Sequence, residues 1–138
     1  MDIVFLDANV LFSAAYRVDS RLRRLWHLRG VQLITSGFAV EEARRNLTTA
    51  AQRSELDTLL LSIRIVAFSG PLDHPIFATI ALPDKDRPIL LAAITARATH
   101  LVTGDFQHFG PYYGQRIEGA LIVPPAEYLR TVASGEAS

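Results

Sequence analysis

Two aspartates stand just beyond short apolar runs that are typical of buried strands. Asp7 directly follows the run at residues 3–6, and Asp105 comes shortly after the run at 100–103. Such runs predict strands of a parallel sheet, and ligands of parallel sheets bind beyond the carboxyl ends of the strands. If the two strands are neighbours, the two carboxylates face each other. Carboxylates withdrawn from water need neutralisation, and a divalent cation would supply it.

Two further pairs of acidic residues could reach the same place. Glu41 and Glu42 lie near the start of the helix predicted after the second strand. Asp84 and Asp86 open the helix predicted before the fourth strand. Carboxylates are also common caps at helix N-termini, so neither pair by itself indicates chemistry. The recurrence of acids at several element ends is what favours a cation site.

The elements that must position these acids alternate along the chain between strand and helix patterns. Strands are predicted at residues 3–6, 31–35, 63–68, 100–103 and 120–123. Helices are predicted at residues 8–16, 20–29, 38–52, 54–61, 73–81, 84–97 and 125–132. This alternation predicts an α/β fold, a three-layer α/β/α domain in which a five-stranded parallel sheet lies between two layers of helices. We expect the domain to span residues 1–132 and residues 133–138 to form a flexible tail.

The composition restricts the kinds of partner and chemistry. Basic and acidic residues number 14 each, so any nucleic acid must be held by a local patch rather than by the charge of the whole chain. The absence of cysteine excludes disulfides, thiolate catalysis and cysteine-ligated zinc. The start of the chain does not resemble a signal peptide, and no apolar run reaches membrane-spanning length. We therefore expect a cytoplasmic protein without membrane contact.

Four short stretches occur in the order found in one known family. They are Leu-Asp-Ala-Asn-Val-Leu-Phe-Ser-Ala at residues 6–14, Glu-Glu-Ala-Arg-Arg-Asn-Leu at 41–47, Asp-Arg-Pro-Ile-Leu at 86–90 and Leu-Val-Thr-Gly-Asp at 101–105. Through them the chain resembles the PIN-domain nucleases, including the VapC-like ribonuclease toxins of bacterial toxin–antitoxin pairs. The resemblance extends over residues 2–130. Each stretch alone has low specificity, and it is their order that makes the resemblance specific.

The resemblance implies an active site of four metal-binding acids. Position by position, these are Asp7, Glu42, Asp86 and Asp105. Within the two acidic pairs, Glu42 is preferred because it stands directly before the Ala-Arg-Arg-Asn-Leu stretch, and Asp86 because it directly precedes the apolar stripe of its helix. By the same resemblance, Asn9 steadies the first loop, and Thr103 hydrogen-bonds an acid or the attacking water.

The implied activity is the hydrolysis of RNA phosphodiester bonds. Carboxylate oxygens suit Mg²⁺ or Mn²⁺, and such a metal activates water for in-line attack on phosphorus without a protein nucleophile. The products would carry 5′-phosphate and 3′-hydroxyl ends. The expected partners are an RNA substrate and, for a toxin, an antitoxin protein. A homodimer is also predicted, because Leu22, Leu25 and Trp26 lie at helical spacing and could form an interface or simply belong to the core.

Two sets of arginine residues could hold the phosphate backbone of RNA. The first set, at i, i+4 and i+7 of a predicted helix face, is Arg17, Arg21 and Arg24. The second set, less than a turn beyond the preferred glutamate, is Arg44 and Arg45. Each set could equally be a solvated face of a helix.

One residue departs from the family pattern. Many PIN relatives carry a further acid shortly after the Thr-Gly-Asp stretch and just before an aromatic residue, and here that residue is His108. Because imidazole nitrogen suits Mn²⁺ better than Mg²⁺, contact between His108 and the metal would favour Mn²⁺. The alternative is that His108 packs in a loop against Tyr112. Tyr112 and Tyr113, in turn, could stack on unpaired bases or pack that loop.

Two other functions fit parts of the pattern. A phosphohydrolase of the haloacid-dehalogenase kind also carries an Asp after the first strand, but it needs a second Asp two residues later, where this chain has Asn9. It also needs a lysine, and Lys85, the single lysine, stands at a helix start beside the acids. The other alternative is a PIN-like domain that only binds RNA or a protein. The presence of all four acids argues against that inactive form.

Overall fold

A six-stranded sheet forms the centre of the computed structural model, which describes residues 1–133 of the chain. Its strands are β1 (Asp2–Leu6), β2 (Val31–Ser36), β3 (Arg64–Val66), β4 (His100–Val102), β5 (Arg116–Ile117) and β6 (Ala120–Val123). Their order across the sheet is β3-β2-β1-β4-β6-β5. Every neighbouring pair is parallel except β5 with β6. The predicted α/β class, with a mainly parallel sheet, is confirmed.

The predicted five-stranded sheet lacks the edge strand β5. This strand has two residues and pairs antiparallel with β6 through a tight turn at Glu118 and Gly119, both of which have positive φ. Two-residue turns with positive φ are those that join the strands of a hairpin. So short a strand carries no apolar alternation, and the sequence pattern therefore has no signal for it.

Five α-helices connect or follow the strands in the described residues. They are α1 (Ala8–Tyr16), α2 (Gly37–Asn46), α3 (Ala50–Leu60), α4 (Arg87–Thr95) and α5 (Pro125–Thr131). The break predicted at residue 53, between helices at 38–52 and 54–61, lies earlier in the structure, between the end of α2 at Asn46 and the start of α3 at Ala50. Thr49 and Gln52 cause the break, because they form a capping box in which the Thr49 hydroxyl accepts from the Gln52 N–H at 3.0 Å and the Gln52 amide oxygen accepts from the Thr49 N–H at 3.2 Å.

Two other predicted helices are short 3₁₀ segments. Residues 20–29 contain a 3₁₀ helix at Arg21–His27, and residues 73–81 contain a 3₁₀ turn at Pro75–Ala78. The spacing of apolar residues does not distinguish the two helix types over one or two turns, because their periods of 3.0 and 3.6 residues diverge slowly.

The 3₁₀ segment overturns the predicted arginine face. Arg17 has extended backbone just beyond the end of α1, whereas Arg21 and Arg24 belong to the separate 3₁₀ helix. The three side chains therefore do not share one helix face. Arg17 instead pairs with Asp19, its Nε lying 3.1 Å from Oδ1 of that residue.

The carboxyl ends of β1 and β4 are adjacent, as the opposing aspartates require. Leu6 lies beside Val102 in the parallel pairing, and the Asp7 N–H donates to the Val102 carbonyl at 3.0 Å. The order of the strands reverses between β1 and β4, since β2 and β3 lie on one side and the later strands on the other. This is the switch point at which open parallel sheets form their ligand sites.

The residues offered above as a dimer surface pack on the core. Leu25 is 1% exposed, and Leu22 and Trp26 are partly buried against the same core. The Trp26 indole N–H donates to the Leu59 carbonyl at 3.0 Å, which fixes the ring within the fold. Leu25 is therefore not available for an interface, and the homodimer stays a prediction.

Two further expectations concern the membrane and the tail. None of the helices in residues 1–133 has the length and apolar character needed to cross a bilayer. The predicted tail, residues 133–138, lies outside the described residues except for Ala133, so the boundary at residue 132 stays a prediction.

Candidate active site

A cavity of about 390 Å³ opens beyond the carboxyl ends of β1 and β4. It is lined by Asp7, Ala8, Asn9, Phe12, Glu42, Asn46, Lys85, Asp86 and Asp105. All four acids implied by the family resemblance are among these residues. The alternative acids Glu41 and Asp84 are not, and the Asp84 side chain is 95% exposed. A larger cleft of about 740 Å³, around Trp26 and the start of β2, has no carboxylate in its lining.

Asp7 is buried, and both of its carboxylate oxygens accept hydrogen bonds. Oδ1 accepts from the Ala8 N–H at 2.6 Å and Oδ2 from the Thr103 hydroxyl at 2.7 Å. Burial raises the pKa of Asp7 from 3.8 to about 6, although these two hydrogen bonds lower it. The charges of Asp86 and Glu42 add to the rise. A cation close to Asp7 would remove much of this opposition to its charge.

Thr103 and Asn9 join the loop after β1 to the loop after β4. The Thr103 hydroxyl, which donates to Asp7, also accepts from the Asp105 N–H at 3.0 Å. The Asn9 side chain donates to Asp7 at 3.3 Å and accepts from the Gly104 N–H at 2.8 Å. A Cβ on Gly104 would lie 3.3 Å from the Asn9 amide oxygen, so glycine allows this close approach. These contacts fix the relative positions of Asp7 and Asp105.

Asp86, Asp105 and His108 form a second group of close polar side chains, of which the two acids line the cavity. The Asp105 carboxylate accepts from the His108 N–H at 3.1 Å and contacts His108 Nδ1 at 2.9 Å. The Asp86 side chain is 8% exposed, and its Oδ2 lies 3.3 Å from the same ring nitrogen. Within residues 1–133 this Oδ2 makes no hydrogen bond. His108 therefore faces two of the acids, and the packing against Tyr112 considered above is not what positions it.

Lys85 is a member of the site that the family motifs do not include. Its Nζ lies 3.2 Å from Asp86 Oδ1. Partial burial opposes its charge, but Asp86, Glu42 and Asp105 outweigh that effect and raise the pKa of the Lys85 amine. Two features of the sequence could have indicated this role of Lys85: it is the single lysine, and it directly precedes Asp86. One ammonium does not balance four carboxylates, so the cavity has an excess of negative charge.

Tyr112 and Tyr113, considered either for stacking on bases or for packing their loop, both make hydrogen bonds within the fold. The Tyr113 hydroxyl donates to the Thr103 carbonyl at 2.7 Å, and the Tyr112 hydroxyl accepts from a backbone N–H at 2.8 Å. Phe106, which directly follows Asp105, is 79% exposed, and it is not among the candidate residues predicted from the sequence. The only signal for it in the sequence is a large apolar residue in a loop next to an acid.

The second set of arginines lies on α2, which also carries Glu42. Arg44 pairs with Asp57, with Nη2 and Oδ1 2.8 Å apart, and Arg45 is exposed. Neither lines the cavity. Phe12, which does line it, also borders a neighbouring cleft that contains Arg17.

A family model described as the PIN domain matches residues 3–107, more than half of the chain. The chain belongs to the PIN-domain family. This assignment confirms the resemblance and removes the haloacid-dehalogenase alternative, which is a different family. No curated protein sequence matches this PIN domain.

Solved structures share the fold of this PIN domain. One is a crystal structure of VapBC2 from Rickettsia felis bound to a DNA fragment from their promoter, with a TM-score of 0.66 and 18% identity, covering 88% of this chain and 98% of the other. Another is VapC20 of Mycobacterium tuberculosis, a sarcin-ricin loop cleaving toxin, with a TM-score of 0.56 and 16% identity over 78% and 95% of the two chains. At these identities the likeness concerns the fold alone.

Proposed function

We propose that this PIN domain is a metal-dependent endoribonuclease. Its metal ligands in this proposal are Asp7, Glu42, Asp86 and Asp105. The observation that carries the proposal is the convergence of these four carboxylates, from four separate segments, on one cavity whose described lining contains a single cation, Lys85. Like charges at close range oppose one another, and a bound cation relieves that repulsion. Membership of the PIN family supports nuclease chemistry at such a site.

The residues present fit a hard divalent cation. The donors of the four acids are all carboxylate oxygens, which Mg²⁺ and Mn²⁺ prefer. The buried Asp86 Oδ2 makes no hydrogen bond among the described residues, and a buried carboxylate oxygen left without a partner is costly. A ligand to this oxygen would satisfy it.

The roles of the remaining residues follow from their contacts. When bound, the cation would lower the pKa of a water and stabilise charge on the scissile phosphate. Thr103 and Asn9 keep Asp7 and Asp105 at a constant separation through the hydrogen bonds between the two loops. Lys85 Nζ, beside Asp86, is positioned to pair with a phosphate oxygen.

We also propose that RNA is the substrate and that an antitoxin protein is a partner. Support comes from the two structural neighbours, one of which is a toxin that cleaves the sarcin-ricin loop and the other VapBC2 bound to promoter DNA. Zero net charge agrees with a substrate held locally at the site rather than by the whole surface.

The adjacent glutamates provide a matched test. In Glu42→Gln we expect cleavage of a labelled pool of single-stranded RNA in Mg²⁺ or Mn²⁺ to fall by roughly a hundredfold, because a metal ligand loses its charge. Glu41→Gln, next to it but outside the cavity lining, should stay within about twofold of wild type. Equal effects of the two substitutions would contradict the assignment of Glu42. Binding of RNA by the wild type without cleavage in either metal would favour the binding-only alternative.

Phe106 is expected to contact an unpaired base next to the scissile phosphate. Its exposed ring adjoins Asp105, and stacking of a base on an aromatic ring is worth about 1–3 kcal/mol. Phe106→Ala should therefore raise KM by about tenfold with a smaller change in kcat. Phe106→Tyr, which keeps a stacking surface, should restore the wild-type KM. Steady-state kinetics on a single-stranded oligonucleotide measure both, and an unchanged KM in Phe106→Ala would refute the stacking role.

A further inference from the structure

His108 presents a nitrogen atom to the acids of the cavity at the distances expected between ligands of one ion. Nδ1 lies 2.9 Å from Asp105 Oδ2 and 3.3 Å from Asp86 Oδ2. One donor atom from each of these three residues lies within 4.8 Å of the other two. In an octahedral shell with bonds of about 2.1 Å, adjacent ligand atoms are about 3 Å apart. The two distances to Nδ1 match such adjacent positions.

The backbone holds the imidazole in this place. The turn after Asp105 is closed by hydrogen bonds from the N–H groups of Phe109 and Gly110 to the Asp105 carbonyl, at 3.0 and 3.2 Å. The His108 N–H bonds to the Asp105 carboxylate within the same turn, and Phe109 is buried in the core next to it. The ring is therefore directed at the acids by a turn that is anchored on both sides.

A separate observation indicates that a ligand is needed at this point. The Asp86 side chain is more than nine-tenths buried, and its Oδ2 has no hydrogen-bond partner in residues 1–133 although it faces the ring nitrogen. The contact at 3.3 Å between Nδ1 and Oδ2 is an ion pair only when the ring is protonated, and it is not a hydrogen bond. An ion that takes both atoms as ligands would satisfy the buried oxygen.

We infer that His108 Nδ1 is a metal ligand next to Asp86 and Asp105, and that this nitrogen gives the site a preference for Mn²⁺ over Mg²⁺. The inference rests on the proposed binding of a divalent cation by the four acids. Imidazole is a softer donor than a carboxylate and binds Mn²⁺ more readily than Mg²⁺, which keeps to oxygen. The neutral ring also adds a ligand without adding to the negative charge of the cavity.

Electron spin-echo envelope modulation of bound Mn²⁺ tests the inference directly, since it detects a coordinated imidazole ¹⁴N without any catalytic readout. We expect wild-type protein with one equivalent of Mn²⁺ to show this modulation, and His108→Asn to lose it while still binding Mn²⁺. Asn is the informative replacement because its amide can keep the hydrogen bond to Asp105. His27→Gln, which changes an exposed histidine far along the chain, should keep the modulation.

Calorimetry gives the second measurement. The ratio of the Kd for Mg²⁺ to the Kd for Mn²⁺ should fall by roughly tenfold from wild type to His108→Asp, because the nitrogen donor is replaced by a carboxylate oxygen. Bound Mn²⁺ without ¹⁴N modulation in the wild type, or an equal ratio in the two proteins, would overturn the inference. Failure of wild-type protein to bind Mn²⁺ would overturn it too.

The modulation tests metal ligation by His108 separately from ribonuclease activity. Modulation from His108 in a protein that does not cleave RNA would support His108 as a metal ligand and contradict the proposed ribonuclease activity. RNA cleavage in Mn²⁺ without the modulation would retain the ribonuclease and show that His108 only holds Asp105 through a hydrogen bond.

Discussion

Asp7→Asn is expected to lower RNA cleavage by about a thousandfold at saturating Mg²⁺ or Mn²⁺. The amide keeps the shape of the side chain and the acceptor for the Ala8 N–H, but it removes the charge of the acid at the switch point between β1 and β4. A metal held by fewer charges binds more weakly and is less able to stabilise the transition state.

The control for this substitution is Asp84→Asn, which removes one negative charge from an exposed side chain outside the cavity. It should cleave RNA within about twofold of wild type. Single-turnover rates with excess enzyme, at several metal concentrations, separate weaker metal binding from slower chemistry. Full metal-dependent activity in Asp7→Asn would remove Asp7 from the active site.

The same substitution should stabilise the metal-free fold, and the gain should depend on pH. The pKa of Asp7 is about 6 in the folded protein and 3.8 as its ordinary value, so the folded state binds the proton more tightly. The contribution of Asp7 to wild-type stability is then most favourable below pH 3.8, falls as the pH rises towards 6, and stays lower above it. The difference between these two pKa values corresponds to about 3 kcal/mol of lost stability at pH 8.

In Asp7→Asn this loss is absent, because the amide does not ionise. We expect the free energy of unfolding of the variant, relative to that of wild type, to increase by about 2–3 kcal/mol as the pH is raised from about 4 to about 8. Urea unfolding with a chelator present measures this difference. Glu41→Gln, at an exposed position, serves as the reference for a substitution without a buried charge. A stability difference between Asp7→Asn and wild type that does not change with pH would contradict the burial cost. Saturating Mn²⁺ should stabilise the wild type and reduce the advantage of the variant.

Most of the sheet could be predicted because apolar runs bounded by turn residues are local signals. The adjacency of β1 and β4 entered the sequence analysis only as a condition for the two aspartates to face each other, and the strand order of the sheet confirms that condition. The 3₁₀ segment at Arg21–His27 could not be predicted, since apolar spacing does not report helix type. The break between α2 and α3 has a local signal in the Thr49–Gln52 capping box, which the spacing of apolar residues does not include. The loss of the arginine face follows from the first of these errors.

The sequence by itself determined the types and the order of the acids, and through them the family. Residue types at strand and helix ends are properties of the chain that folding does not change. The family resemblance selected Glu42 and Asp86 within the two acidic pairs, and the cavity lining contains both. The tertiary structure supplies the physical reason for the first choice, because a one-residue step on a helix rotates a side chain by about 100° and so turns Glu41 away while Glu42 faces inward. Only the tertiary structure shows that Lys85 and His108 belong with Asp86. The Lys85 ammonium folds back on its chain neighbour Asp86, and His108 reaches Asp86 from a distant segment of the chain. Distances of about 3 Å between such groups arise from packing, which no pattern of single residues contains.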